Sequence, residues 1–210
     1  MSASGTLAKS PIPTALRESR KEIAVTAGLN WAISAGYYIV FVWLASDLSD
    51  LIGFSLETAL LLSTVALMLG TVLVPVAGML ADRFGPRRLL AAAGLLTVFA
   101  ATPLLSLAGS GPLGAAVAAQ LALAAIMAIY LGTVPAVFVS LNAARLRCSS
   151  LSIGYNLATA IFSGTAPLIA TTLVSMTGWQ AAPGLYLAIS ALAGLALLGW
   201  VPRRLDARRL

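Results

Sequence analysis

Gly78-Met79-Leu80-Ala81-Asp82-Arg83-Phe84-Gly85-Pro86-Arg87-Arg88 is a short charged stretch between two long apolar ones. A turn of this composition, flanked on both sides by hydrocarbon-like sequence, joins two membrane spans. Bilayer-crossing helices need ~20 consecutive, mostly apolar residues. Six segments meet that requirement: Ile23–Ala45, Thr58–Ala81, Leu89–Ala108, Leu113–Leu141, Leu151–Ser175 and Gly184–Val201. Sixty percent of the 210 residues are hydrophobic and 10% are charged, with a mean hydropathy of +0.95. A water-soluble domain of this size needs far more polar surface. The expected fold is all-α, an integral membrane bundle of six transmembrane helices. It comprises a polar tail at 1–22, the six-helix domain at 23–201 and a basic tail at 202–210.

The net charge of +6 does not point to nucleic acid, because the bases are placed by topology. All 13 fall in four clusters: Lys9, Arg17, Arg20 and Lys21; Arg83, Arg87 and Arg88; Arg145 and Arg147; and Arg203, Arg204, Arg208 and Arg209. The first, third and fifth loops hold none. Bases are retained on the cytoplasmic side, so both termini are expected there, in a multi-pass protein of the cytoplasmic (plasma) membrane. The bases also suit the anionic headgroups of the inner leaflet. The first span is too long for a cleaved signal and follows a polar stretch, so it reads as a retained helix. Thr14–Glu22 reads equally as a short surface helix or a flexible tail.

Cys148 is the single cysteine and histidine is absent, so there is neither a disulfide nor a plausible ligand set for zinc or haem. No cofactor or metal is expected. Enzyme chemistry needs a nucleophile with a base, or a metal, and the spans offer neither. No ring of charge suggests a channel filter. Pro75, Pro103, Pro135 and Pro167 interrupt the spans, and each removes a backbone donor. Trp179 and Trp200 fit interfacial anchors at opposite faces. Met68, Met79 and Met127 read as packing residues.

Two polar stripes stand out. Asn30, Ser34, Tyr37 and Phe41 share a face of the first span, flanked by Trp31 and Tyr38. Ser152, Asn156, Thr159 and Ser163 do the same in the fifth, with Tyr155 alongside. Gln120 and Tyr130 are further polar candidates in the fourth span. Polar groups are costly in hydrocarbon, so these stripes face protein or water. They either line a solute cavity or bond helix to helix. No acid, lysine, arginine or histidine lies mid-span, and a proton relay ordinarily uses one.

In the charged turn, Asp82 is expected either to cap the next helix, where the dipole favours an anion, or to pair with a neighbouring arginine. Gly78 admits a close helix, and Gly85 permits a tight turn. Gly78, Asp82, Arg83 and Gly85 match, position by position, the cytoplasmic loop signature of the major facilitator superfamily, which this turn resembles. Pro86 departs from it, where the pattern has a base, and the base pair arrives one residue later as Arg87 and Arg88. The resemblance implies a gating latch between helices that separate during alternating access.

Asn142–Leu157, with its Arg145/Arg147 pair and Gly154-Tyr155-Asn156, is similar to the loop before helix eleven of metabolite–proton symporters. Ser163–Ile169 and the tail Lys9–Glu22 resemble the same branch. The resemblance covers nearly the whole chain as helices seven to twelve, the carboxyl-terminal half of such a fold. It implies secondary transport, with proton-coupled symport of a small organic solute such as a carboxylate or a zwitterionic osmolyte. The partners implied are the lipid bilayer, the solute, protons, and an amino-terminal six-helix half or a second copy of this chain. The alternative is a truncated remnant that inserts without transporting. A lone half is expected to behave poorly as a monomer.

Overall fold

The computed structural model describes residues 11–50, 52–142 and 144–201. Six helices are long and apolar enough to cross a membrane: Arg20–Asp50, Leu56–Phe84, Pro86–Ala108, Leu113–Leu141, Arg147–Thr177 and Ala182–Trp200. They are the six expected spans, several lengthened at their ends. A short helix, Pro11–Glu18, precedes them, so part of the amino tail is helical. The remaining tail residues, 1–10 and 202–210, lie outside the described residues.

Local chemistry sets the boundaries. Ser55 Oγ accepts a bond from the Thr58 N–H, which caps the second span. That span stops at Gly85, whose φ of 96° is a region side chains rarely adopt. Pro86 then opens the third span, where its missing N–H costs nothing. The fifth span ends on Gly178 in the left-handed conformation, a common helix stop. All four interrupting prolines sit inside continuous helices.

Two features have no signal in the sequence. The first span contains a π-helical turn at Ile39–Trp43, and the fifth contains one at Thr159–Ser163. Such turns rotate the side chains beyond them and recur at functional sites.

The first span packs on the fifth and sixth, the third on the fourth and sixth, and the second on the fourth. The first span is the most buried, and the second and fifth, at the flanks, are the least. Glycines set the closest approaches. A Cβ on Gly132 would lie 2.5 Å from the Val74 carbonyl oxygen, and one on Gly184 would lie 2.5 Å from Thr102 Cα. One on Gly154 would lie 2.8 Å from the Ile23 carbonyl oxygen. Three of these helix pairs, second–fourth, third–sixth and first–fifth, therefore meet backbone to backbone at a glycine, as small residues allow in membranes.

Met127 is buried, as expected of packing, whereas Met68 and Met79 lie on the outer surface. Trp179 and Trp200 are both exposed, at opposite ends of the bundle, and the Lys21 ammonium sits 5.9 Å from the Trp200 ring centroid.

Candidate functional site

A groove of about 340 Å³ opens where the first, fourth and fifth spans meet. Asn30 and Ile33 form its floor, Val134, Pro135 and Phe138 one wall, and Leu151 and Tyr155 the other. Asn30 is the polar centre. Its Nδ2 donates to the Thr159 hydroxyl at 2.9 Å, and to the Tyr155 carbonyl and the Ser34 hydroxyl at 3.2 Å each. The amide is thereby held in one orientation, and no described residue donates to its Oδ1. The Phe138 and Tyr155 rings meet edge to face, 6.4 Å apart at 77°. This is an arrangement that aromatic quadrupoles favour.

The groove lies toward the end of the bundle that carries the basic loops. Asn30 is ten positions beyond Arg20, and Tyr155 is eight beyond Arg147. Its lining is almost wholly apolar and contains no charged group.

The other candidates lie elsewhere. Ser34 stands behind Asn30. Trp31 stacks on Phe162 at 4.9 Å and donates to the Tyr186 hydroxyl at 3.0 Å, at the seam of the first, fifth and sixth spans. Tyr37 packs against Tyr38 and Phe41, with ring centroids 5.8 and 5.0 Å away. Tyr130 is buried against Thr97 between the third and fourth spans. Asn156 is exposed, and its Nδ2 turns back to its own helix at the Ser152 carbonyl, 2.9 Å away.

Gln120 is fully buried. Its Nε2 donates to the Val40 carbonyl at 3.0 Å and the Ser63 hydroxyl at 2.9 Å, so one side chain ties the fourth span to the first and second. Val40 lies in the π-helical turn. Sequence reasoning missed Thr159 as the partner of Asn30, and missed Phe138 and Tyr186. Their roles depend on which helices become neighbours.

Asn30 makes a first test of the site. Asn30→Ala is expected to lower stability by about 1 kcal/mol, since intramembrane hydrogen bonds average ~0.6 kcal/mol each. Thr159→Ala should add little in that background, because its partner is already gone. An SDS unfolding titration followed by tryptophan fluorescence measures both. Full additivity would show that the two side chains are not bonded.

At the charged turn, Asp82 lies within the last turn of the second span's helix and is exposed. The next helix has Gly85 at its cap with no side-chain bond, so the expected cap does not form. Among the described residues Asp82 also lacks an ion pair. Arg83 stacks its guanidinium over Phe84, 5.4 Å from the centroid, and Arg87 and Arg88 open the third span. Nearby at the same end, Arg145 pairs with Glu18 and ties the amino-terminal helix to the fifth span's entrance.

Asp47 lies just beyond the first apolar segment of the sequence, yet the first helix continues through it, and it is buried with no described partner.

A family model described as the Major Facilitator Superfamily matches residues 26–209. The citrate-proton symporter of Klebsiella pneumoniae is 28% identical in an alignment that covers 88% of this chain and 44% of that protein. The ectoine/proline transporter ProP of Corynebacterium glutamicum is 30% identical over 84% of this chain and 34% of its own. The proline/betaine transporter of Salmonella typhimurium is 32% identical over 80% of this chain and 33% of its own. The chain thus spans between a third and somewhat under half the length of these relatives. No solved structure matches it.

Proposed function

The chain belongs to the Major Facilitator Superfamily, and on that premise we propose that it is the carboxyl-terminal half of a secondary carrier. The carrier would move a small organic solute by alternating access, in symport with protons. The carrying observation is the pairing of six spans with a match confined to 44% or less of each of these relatives. This bundle would rock against a second six-helix bundle around a shared site. The basic loops set its orientation, with both termini in the cytoplasm.

The flanks support the partner. The second and fifth spans are the least buried, and they expose Thr64, Thr71, Ser152, Asn156 and Thr171 along their length. Hydroxyl and amide groups at membrane depth favour protein or water over lipid. A second bundle against this flank would also meet Asp82. Every acid and base in the described spans sits near a helix end, and Asp47 is the one described acid that is buried, so a mid-span proton carrier would have to come from the partner.

The test is uptake into proteoliposomes under an imposed proton gradient, with radiolabelled proline, glycine betaine and citrate. The chain alone is compared with the chain co-expressed with the reading frames flanking it at its native locus. Uptake is expected only from the co-expressed pair, and the chain alone is expected to self-associate in detergent. Concentrative uptake by the chain alone, as a monodisperse monomer, would overturn the half-carrier reading.

A further inference from the structure

We propose that the groove between the first, fourth and fifth spans is a subsite for the ammonium end of a zwitterionic or cationic solute, and that it excludes a free carboxylate. The inference rests on the transport reading above and deepens it by choosing between solute chemistries.

The bases of the described spans lie near the helix ends, and none lines the groove. A carboxylate entering it would lose its hydration with no cation and almost no donor in exchange. That penalty is several kcal/mol even after relaxation. A methylated ammonium is large and presents methyl groups to its surroundings. Ring faces and carbonyl-type oxygens stabilise its charge.

Tyr155 presents an open ring to the groove, and Phe138, itself nearly buried, backs it edge to face. Asn30 contributes an amide oxygen that no described residue occupies. Its Nδ2 has three acceptors in reach for its two hydrogens. Flipping the amide would place oxygen against the Tyr155 carbonyl, so Oδ1 stays the free atom. Ile33, Val134 and Leu151 supply apolar walls of the kind methyl groups pack against. The solute's carboxylate would then point out of the groove, toward the space where the partner bundle stands.

The experiment uses the full chain in lipid nanodiscs and saturation-transfer difference NMR, with empty nanodiscs as the blank. The probes are tetramethylammonium chloride and sodium acetate at matched ionic strength. Tetramethylammonium methyls are expected to receive saturation above the blank, and the acetate methyl is not. Tyr155 is 45% exposed, so changing it should leave the fold intact; tryptophan fluorescence checks this. Tyr155→Leu is expected to weaken tetramethylammonium binding by roughly two- to tenfold, the range of a single ring contact. Tyr155→Phe keeps the ring and should stay within about twofold of the parent.

The proposal is overturned by acetate saturation equal to that of tetramethylammonium, by no tetramethylammonium signal above the blank, or by a Phe variant as weak as the Leu variant. No transport is needed for this readout. Binding by the chain with no uptake by the co-expressed pair would sink the carrier reading alone, and uptake by that pair without binding would sink the subsite alone.

Discussion

Gly132→Val is expected to prevent the bundle from assembling. A Cβ at this position would lie 2.5 Å from the Val74 carbonyl oxygen, 2.8 Å from Ala77 Cβ and 2.9 Å from the Gly78 nitrogen. Real Cβ atoms do not approach other atoms that closely, and two of these three neighbours are backbone. A side chain can rotate away from an intruder, but a helix backbone has to translate. Overpacking that side chains can absorb costs ~1–3 kcal/mol, so this substitution should exceed that range. The second span would be levered off the fourth, and the Asp82 turn at its end would move with it. Gly164→Ala is the matched control, because nothing lies within 4 Å of its added Cβ. Alanine there should be neutral or up to about 1 kcal/mol stabilising, by helix propensity. Size-exclusion profiles in detergent and SDS unfolding midpoints separate the two. A monodisperse Gly132→Val protein with the parent's midpoint would disprove the close approach of the second and fourth spans.

The same glycine shows what was legible in the sequence. The Gly78–Arg88 turn singles out Gly78 as a place of close approach, yet a Cβ on Gly78 would make only an ordinary 3.7 Å contact with the Gly132 carbonyl. The tight partner lies across the interface, and no local pattern identifies it. Hydropathy located all six spans because lipid imposes long apolar runs. It underestimated their ends, as at Asp47, because a helix continues past the hydrocarbon while its backbone bonds are still satisfied.

Helical periodicity placed Asn30 and Ser34 on one face, and Ser152 and Asn156 on another. It cannot say which neighbour each face meets. Asn30 bonds to the fifth span, whereas Asn156 faces outward and bonds within its own turn. The π-helical turns compound this. Each adds a residue to one turn, so Phe41 and Ser163 no longer follow the simple 3.6-residue count.

Gln120 should separate packing from hydrogen bonding at the centre of the bundle. Its side chain is fully buried, with two donated bonds and an Oε1 that has no described partner. Gln120→Met keeps the unbranched shape and removes both bonds. At ~0.6 kcal/mol per intramembrane bond, the loss is about 1 kcal/mol. Removing the unpaired Oε1 offsets part of it, since a buried unsatisfied acceptor costs ~1–3 kcal/mol.

Gln120→Ala removes the bonds and also the volume. Deleting a side chain of this size from a packed core costs ~2–5 kcal/mol, so alanine should be clearly worse than methionine. The Val40 carbonyl adds a second readout. Once Gln120 no longer reaches it, the π-helical turn loses the bond that ties it to the fourth span, and amide hydrogen exchange between Ile39 and Leu44 should accelerate in both variants. If methionine and alanine prove equally damaging, the hydrogen bonds outweigh packing and the turn depends on Gln120. If exchange is unchanged in both, the turn is held by its own helix, and Gln120 serves as a spacer between three spans.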